Sequence, residues 1–207
     1  MYQLSIRSKS IAVVAVLIVI VLLAFSPGTQ ASQQFPKGQH CVMHLDPVQP
    51  DSKEVSKQTH LGCFGTFQEA ISVATGGAVN LGRDVSPREL TDEMLKANRM
   101  GSTLSSVVIG VDYDWDGFVS DGGTYTYSAD EGCSPTVGFR IDTMPSGWND
   151  RVGSARSYSE CYKYIHYEHT YQNTYQAGSS ITCDMGDTCE YMGYMDNKTS
   201  SERWRYQ

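Results

Sequence analysis

A small α+β module followed by an all-β domain is the fold class this sequence predicts, and three observations carry it. Residues 33–97 contain no Tyr or Trp and hold two helix-start signals, whereas the stretch from Ser106 onward holds twelve of the thirteen tyrosines and all three tryptophans. That second stretch is broken into short β-branched and aromatic runs by Gly-, Asp-, Asn- and Ser-rich turns, the pattern of short strands in a sandwich or barrel. All six cysteines lie downstream of an apolar leader, as in a disulfide-stabilised protein of an oxidising compartment.

The leader comes first. Arg7 and Lys9 precede an uninterrupted apolar run from Ile11 to Phe25, and Thr29-Gln30-Ala31 offers a cleavage site. Residues 1–31 therefore read as a secretory signal peptide cleaved near Ala31, which makes the mature protein extracellular. A retained membrane anchor is the rival reading, but the run falls short of the about 20 apolar residues a spanning helix needs. The chain carries 16 Lys+Arg against 23 Asp+Glu, a formal net charge of −7, and the leader removes only basic residues. Such a surface repels nucleic acid and anionic membranes, whose binding relies on Lys and Arg clusters. It suits a hard cation.

An even cysteine count in that compartment predicts three disulfides, and sequence alone does not choose among the fifteen pairings. The pairing expected is Cys41 with Cys63, Cys133 with Cys161 and Cys183 with Cys189, because it keeps each bridge inside one predicted unit. There is no Cys-x2-Cys pair, and the spacings do not match a structural zinc module.

Within the module, residues 32–98, Thr66-Phe67-Gln68-Glu69 is a capping box, in which hydroxyl and carboxylate each satisfy an otherwise unpaired backbone N–H. Its helix runs through Ala70, Ile71 and Val73 and stops at Gly76-Gly77. Ser86-Pro87-Arg88-Glu89 repeats the box with Pro at the first helical position, placing Leu90, Met94 and Leu95 on one side of a second helix. Short strands at 41–45, 61–64 and 78–81 complete the module, which reads as a packing or folding unit; a pro-segment that is cleaved or blocks a surface is the sharper alternative. Residues 99–106 read as a linker. The β domain, 107–207, then carries strands at Val107–Val111, Thr124–Tyr127 and Tyr162–Ile165.

One six-residue pattern occurs twice in that domain. Asn149-Asp150-Arg151-Val152-Gly153-Ser154 and Asp196-Asn197-Lys198-Thr199-Ser200-Ser201 both read acid or amide twice, two free positions, a small or hydroxyl residue, then Ser. Each copy follows a stretch in which an aromatic stands seven positions before a Gly: Trp115 to Gly122, and Tyr171 to Gly178. Oxygen donors this dense suit Ca²⁺, which takes six to eight oxygen ligands.

From Ser106 to Gln207 this arrangement resembles the βγ-crystallin family, in which each Greek-key motif has an aromatic-x6-Gly hairpin and ends in Asn/Asp-Asn/Asp-x-x-Ser/Thr-Ser. The resemblance implies an all-β crystallin-like domain of two Greek keys and, as in microbial members, two Ca²⁺ sites. Carried over by position, one donor group is Asp196, Asn197, Lys198 (through its carbonyl) and Ser200. The other is Asn149, Asp150 and Arg151 (through its carbonyl), with Gly153 unable to supply a hydroxyl. The loop donors are Asp114, after Tyr113, and Glu168, after Tyr167; which motif meets which loop is open. Ser154 and Ser201 take a structural role, bonding turn backbone. The Gly153 departure implies unequal sites, the one using Ser200 being the stronger. Asn, Asp and Ser are also ordinary turn residues, so a scaffold that keeps the motif for turn geometry alone is the bland reading.

Other chemistries have weaker support. Asp112-Tyr113-Asp114-Trp115-Asp116-Gly117 opens like an EF-hand loop, yet position 12 is Gly123 instead of the bidentate Glu. The preceding residues read as strand, not helix. His40 and His44 could share a strand face, but no third ligand accompanies them, and His166 and His169 read as packing residues. There is no Gly-x-Ser-x-Gly elbow and no cysteine left over as a nucleophile, so no enzyme is expected. Asn197-Lys198-Thr199 is a formal N-glycosylation sequon that overlaps the proposed metal loop. The expectation is a secreted monomer whose partner and cofactor is Ca²⁺, with no nucleic acid. The alternative is a secreted metalloproteinase inhibitor of crystallin-like fold, whose partner is an extracellular protease.

Overall fold

The computed structural model describes residues 38–97, 105–172, 178–185 and 189–207. The expected signal peptide and residues 99–104 of the expected linker lie outside them. The described residues are mostly β, with nine strands in two sheets and two short α-helices. In chain order the strands are β1 (His40–Leu45), β2 (Gln58–Phe64), β3 (Val107–Tyr113), β4 (Thr124–Ala129), β5 (Phe139–Ile141), β6 (Ser154–Ser157), β7 (Lys163–Tyr167), β8 (Ser180–Asp184) and β9 (Ser201–Arg205); the helices are α1 (Phe67–Ala74) and α2 (Asp92–Ala97). Neither helix is long and apolar enough to cross a membrane.

The five-stranded sheet has the order β2-β1-β4-β3-β6 and the four-stranded sheet β5-β9-β7-β8. Two triplets repeat one arrangement: β4-β3-β6 and β8-β7-β9 are each antiparallel, with the first strand of the triplet in sequence at the centre. Between them the third strand is exchanged. β5 falls between β4 and β6 in sequence but pairs with β9 of the other sheet. Conversely Cys189, between β8 and β9 in sequence, bridges to Ala155 on β6. Each half therefore completes the other half's sheet.

Alternation in β4 explains why the first sheet is buried on both faces. Tyr125, Tyr127 and Ala129 point into the space between the sheets, where they meet Ile109, Phe139, Trp148, Tyr164 and Trp204. This is the period-2 pattern of a strand facing a core. Thr124, Thr126 and Ser128 on the other side are equally inaccessible. A second core forms on the outer surface of that sheet, where Phe67, Ala70 and Ile71 of α1, with Val79, Leu81, Leu90 and Leu95, cover Val42, Val108, Val111 and Tyr113. Gly110 lies at a bulge in β3 because Trp204 needs the room: a Cβ there would sit 2.5 Å from the indole Nε1.

The segment expected as a separate module thus shares a sheet with the β domain. β1 lies parallel to β4, His40 opposite Thr124 through His44 opposite Ser128, and Gln33–Gln207 forms one compact unit. Thr66 caps α1 with one half of the predicted box, its Oγ1 accepting the Glu69 N–H at 3.3 Å. The second predicted helix is broken. Ser86–Glu89 forms the reciprocal box, but only one 3₁₀ turn (Pro87–Glu89) follows, and Thr91 starts α2 anew by accepting the Met94 N–H at 3.2 Å. The break falls at Leu90, whose carbonyl accepts from the Arg156 guanidinium at 2.8 Å and from the Tyr158 hydroxyl at 3.4 Å. Those tertiary bonds replace the helical one. Residues 78–81 bury Ala78, Val79 and Leu81 without becoming a strand of either sheet. The three disulfides are Cys41–Cys63, Cys133–Cys161 and Cys183–Cys189, the pairing expected from locality.

Candidate functional site

The two motif copies and the two hairpins they follow form matched sets of hydrogen bonds. At the fifth motif position, Gly153 N–H donates to the Tyr113 carbonyl at 2.9 Å and Ser200 N–H to the Tyr167 carbonyl at 2.8 Å. At the sixth, the Ser154 hydroxyl donates to the Trp115 carbonyl at 2.6 Å and accepts the Phe118 N–H at 3.0 Å. Ser201 does the same with the His169 carbonyl at 2.6 Å and the Gln172 N–H at 3.1 Å. The second and fourth positions tie the copies to each other, Asp150 N–H to the Thr199 carbonyl at 3.0 Å and Asn197 N–H to the Val152 carbonyl at 3.1 Å. Positive φ recurs at matched places, 57° and 54° at Asp150 and Asn197, 58° and 52° at Phe118 and Gln172. Asp and Asn tolerate that left-handed conformation better than other side chains, which gives the motif's second position a conformational reason for its residue type.

These bonds cross the donor groups that position alone puts together. Asp196 and Asn197 of the second copy face the first hairpin, lining one depression with Asp114, Trp115 and Asp116. Ser200, from the same copy, turns to the opposite side, its hydroxyl 3.3 Å from Asp150 Oδ1 of the first copy. Each motif is therefore divided between two turn clusters, and each cluster draws on both copies.

At the first cluster, Asp116 and Asp196 lie close together. Partial burial, and then the Asp196 charge, raise the Asp116 carboxyl above the ordinary aspartate range. No ion pair among the described residues neutralises either of them; the cation at hand, Arg151, is bound elsewhere. Its Nε and Nη2 lie 2.5 and 3.2 Å from the two Asp114 oxygens, Nη2 also donates to the Gly122 carbonyl at 2.8 Å, and the guanidinium sits 5.0 Å above the Trp148 ring. The Asp114 side chain, expected as a loop donor, is thus already taken by a cation. Gly153 leaves no hydroxyl here for a steric reason: a Cβ would sit 2.9 Å from the Asp114 carbonyl oxygen and 3.0 Å from the Asp116 nitrogen.

The second cluster is internally satisfied. Asp150 accepts from Ser200 and, at 2.7 Å, from the Asn149 amide. Glu168 accepts the Ser179 N–H at 2.8 Å, which holds its carboxyl below the usual range, and has Lys198 at 3.9 Å. Arg151 and Lys198 thus play one part: the third motif side chain reaches the acid that follows the hairpin tyrosine in its own half.

Two details depart from the sequence pattern. Gly122 sits under Trp115, where a Cβ would be 2.6 Å from the indole Cδ1, but the ring over Gly178 is His169, at 2.4 Å from such a Cβ. Tyr171, the aromatic seven positions before Gly178, is among the most exposed large side chains. The EF-hand-like run does not form an ion loop either. Asp112 is inside β3 and fully buried, and of the two acids that line the depression Asp114 is paired with Arg151 and Asp116 has no ion-pair partner among the described residues. Asp116 was legible only as part of that run. His60 and Cys41–Cys63 approach one another, but the disulfide occupies both sulfurs. No family model matches the chain, and no characterised protein or solved structure matches it.

Proposed function

We propose that this is a secreted calcium-binding protein of βγ-crystallin type, whose two Greek keys are β3–β6 and β7–β9 and whose fold Ca²⁺ stabilises. The exchanged third strand and the matched serine-bonded turns support the Greek-key reading. The observation that carries the calcium reading is the first turn cluster, where Asp116, Asp196 and Asn197 line one depression, the Asp196 charge is felt at Asp116, and no ion pair among the described residues neutralises either acid. Two like-charged carboxylates lining one depression favour a neutralising proton or metal ion, and an oxygen-only donor set selects a hard cation. The arrangement makes this cluster the tighter site, the reverse of the order that the Gly153 departure implies. At the Ser200 cluster the carboxylates already have donors, so Ca²⁺ must displace them.

The test is calorimetric titration of Ca²⁺ into chelator-treated protein, with melting curves before and after. Exothermic or endothermic binding that Asp196→Asn abolishes, and a melting temperature raised by Ca²⁺, are the expected results; binding to the native chain alone raises stability by about 2.7 kcal/mol when free ion is 100-fold above the dissociation constant. A flat titration overturns the calcium reading and leaves the protease-inhibitor alternative to be assayed.

A further inference from the structure

Between the two sheets, three ionisable side chains meet in the middle of the sandwich. Asp112 comes from β3 of the five-stranded sheet; His166 from β7 and Glu202 from β9, directly opposite each other in register, come from the four-stranded sheet. All three are fully buried, and a ligand atom of each lies within 4.8 Å of the others. The surroundings are aromatic: Tyr164 stacks on Trp204 at 4.6 Å and packs at a tilt on His166 at 4.1 Å, and Tyr127 packs on Trp204 at 4.7 Å.

The cluster's internal bonds do not account for it. Tyr164 donates to Asp112 Oδ1 at 2.6 Å, but Asp112 Oδ2, both His166 nitrogens and both Glu202 oxygens have no well-aligned hydrogen-bond partner. His166 Nδ1 and Glu202 Oε1 are 3.1 Å apart without the alignment of a hydrogen bond. A buried polar atom left unpaired costs about 1–3 kcal/mol, more when charged. Burial alone answers part of that by discharging the groups, raising the carboxyls of Asp112 and Glu202 and lowering His166. The side chains of Asp112, Tyr127 and Tyr164 then lie against Glu202 as donors without good alignment, and both His166 nitrogens are still left without a partner.

We propose that Asp112, His166 and Glu202 hold one divalent first-row transition-metal ion, taken up as the chain folds, which ties the two sheets together. Asp112 Oδ2, one imidazole nitrogen and the two Glu202 oxygens provide a compact mixed nitrogen–oxygen set of the kind zinc and manganese accept. Calcium is a poor fit, since the set contains an imidazole and too few oxygens. With no solvent exposure at any of the three residues, the ion enters during folding and its binding free energy becomes folding free energy.

The experiment is metal uptake on refolding. Protein is unfolded with its disulfides intact, stripped with EDTA, refolded with equimolar Zn²⁺ or Mn²⁺, washed with EDTA in the folded state, and assayed for metal by mass spectrometry. One ion per chain that survives the wash and is released only on unfolding is the expected result, with retention falling at least tenfold in Glu202→Gln. Metal no higher than in the stripped protein overturns the proposal, as does metal that EDTA removes from the folded chain, which marks the exposed turns instead. Full retention by Glu202→Gln also overturns it, and if that variant does not refold, the wild-type metal content still decides. In the metal-free case the three groups share protons within the core. Calcium binding at the turns is read separately by titration of the native protein, so either reading can fail alone.

Discussion

Replacing Arg151 by Gln is expected to weaken the fold while strengthening calcium binding, a combination that a merely structural salt bridge would not produce. Arg151 contacts both oxygens of Asp114 and also bonds the Gly122 carbonyl, with side-chain exposures of 19% for the arginine and 11% for the aspartate. Removing one partner of a well-buried pair costs about 3–5 kcal/mol, because the remaining charge is left without compensation. The residual exposure of both groups places this pair near the lower end, at about 3 kcal/mol. In a domain of this size each kcal/mol moves the melting temperature by about 2–4 °C, so the calcium-free variant should melt roughly 6–12 °C lower. The same change frees the Asp114 carboxylate beside Asp116 and Asp196. Calcium titration should therefore give tighter binding than wild type, and saturating Ca²⁺ should restore much of the lost melting temperature. An unchanged calcium-free melting point, or a calcium affinity no higher than wild type, would refute the idea that Arg151 competes with the ion for Asp114.

Three further outcomes follow. Asp116→Asn removes the repulsion with Asp196, so the calcium-free protein should melt no lower than wild type while its calcium-induced shift disappears; scanning calorimetry with and without chelator checks both. Breaking Cys133–Cys161 as the double Ala variant should cost roughly 3–4 kcal/mol, against about 2 kcal/mol for Cys183–Cys189, because the closed loops differ in length (sequence separations of 28 and 6); urea titrations of both variants at equal pH give the comparison. His40 is buried beside Phe67 and burial lowers its pKa, so the fold holds it neutral while the unfolded chain takes up a proton as pH falls below the ordinary histidine value of about 6.5. Its contribution is present above that pH and is lost progressively as pH falls through the histidine range toward the lowered folded value. His40→Gln should flatten the loss of urea stability between pH 7 and pH 5, and an unchanged slope would count against burial as the cause.

What could be read from the sequence was mostly local. The Thr66 cap, the β-rich second half and the three disulfides all depend on residues near each other in the chain; Cys41 and Cys63 even stand opposite in the β1–β2 pair. The six-residue motif was visible too, but its division between two clusters was not, since pairing of the copies is a property of the assembled turns. The second helix failed at Leu90 because Arg156 and Tyr158, distant in sequence, claim its carbonyl. The aromatic over Gly178 was misplaced by two residues because a Tyr stands at the regular spacing while His169 occupies the matching structural position. Least legible of all was the Asp112–His166–Glu202 cluster, whose members come from three strands and two sheets. No spacing rule links them. His166 therefore looked like an ordinary packing residue.

The parallel pairing of β1 with β4 sets a problem of order during synthesis. The β1–β2 hairpin emerges first, already able to close its own disulfide, yet one of its edges must wait for a strand that lies 84 residues further along the chain, the separation of His40 from Thr124. An unpaired strand edge is a template for wrong partners, and contacts this distant in sequence form slowly. A second copy of the hairpin, arriving on a neighbouring nascent chain, offers that edge a faster match. The hazard for this protein is thus kinetic and depends on concentration, and crowding during production will lower its yield before any loss of stability can be measured in the finished molecule.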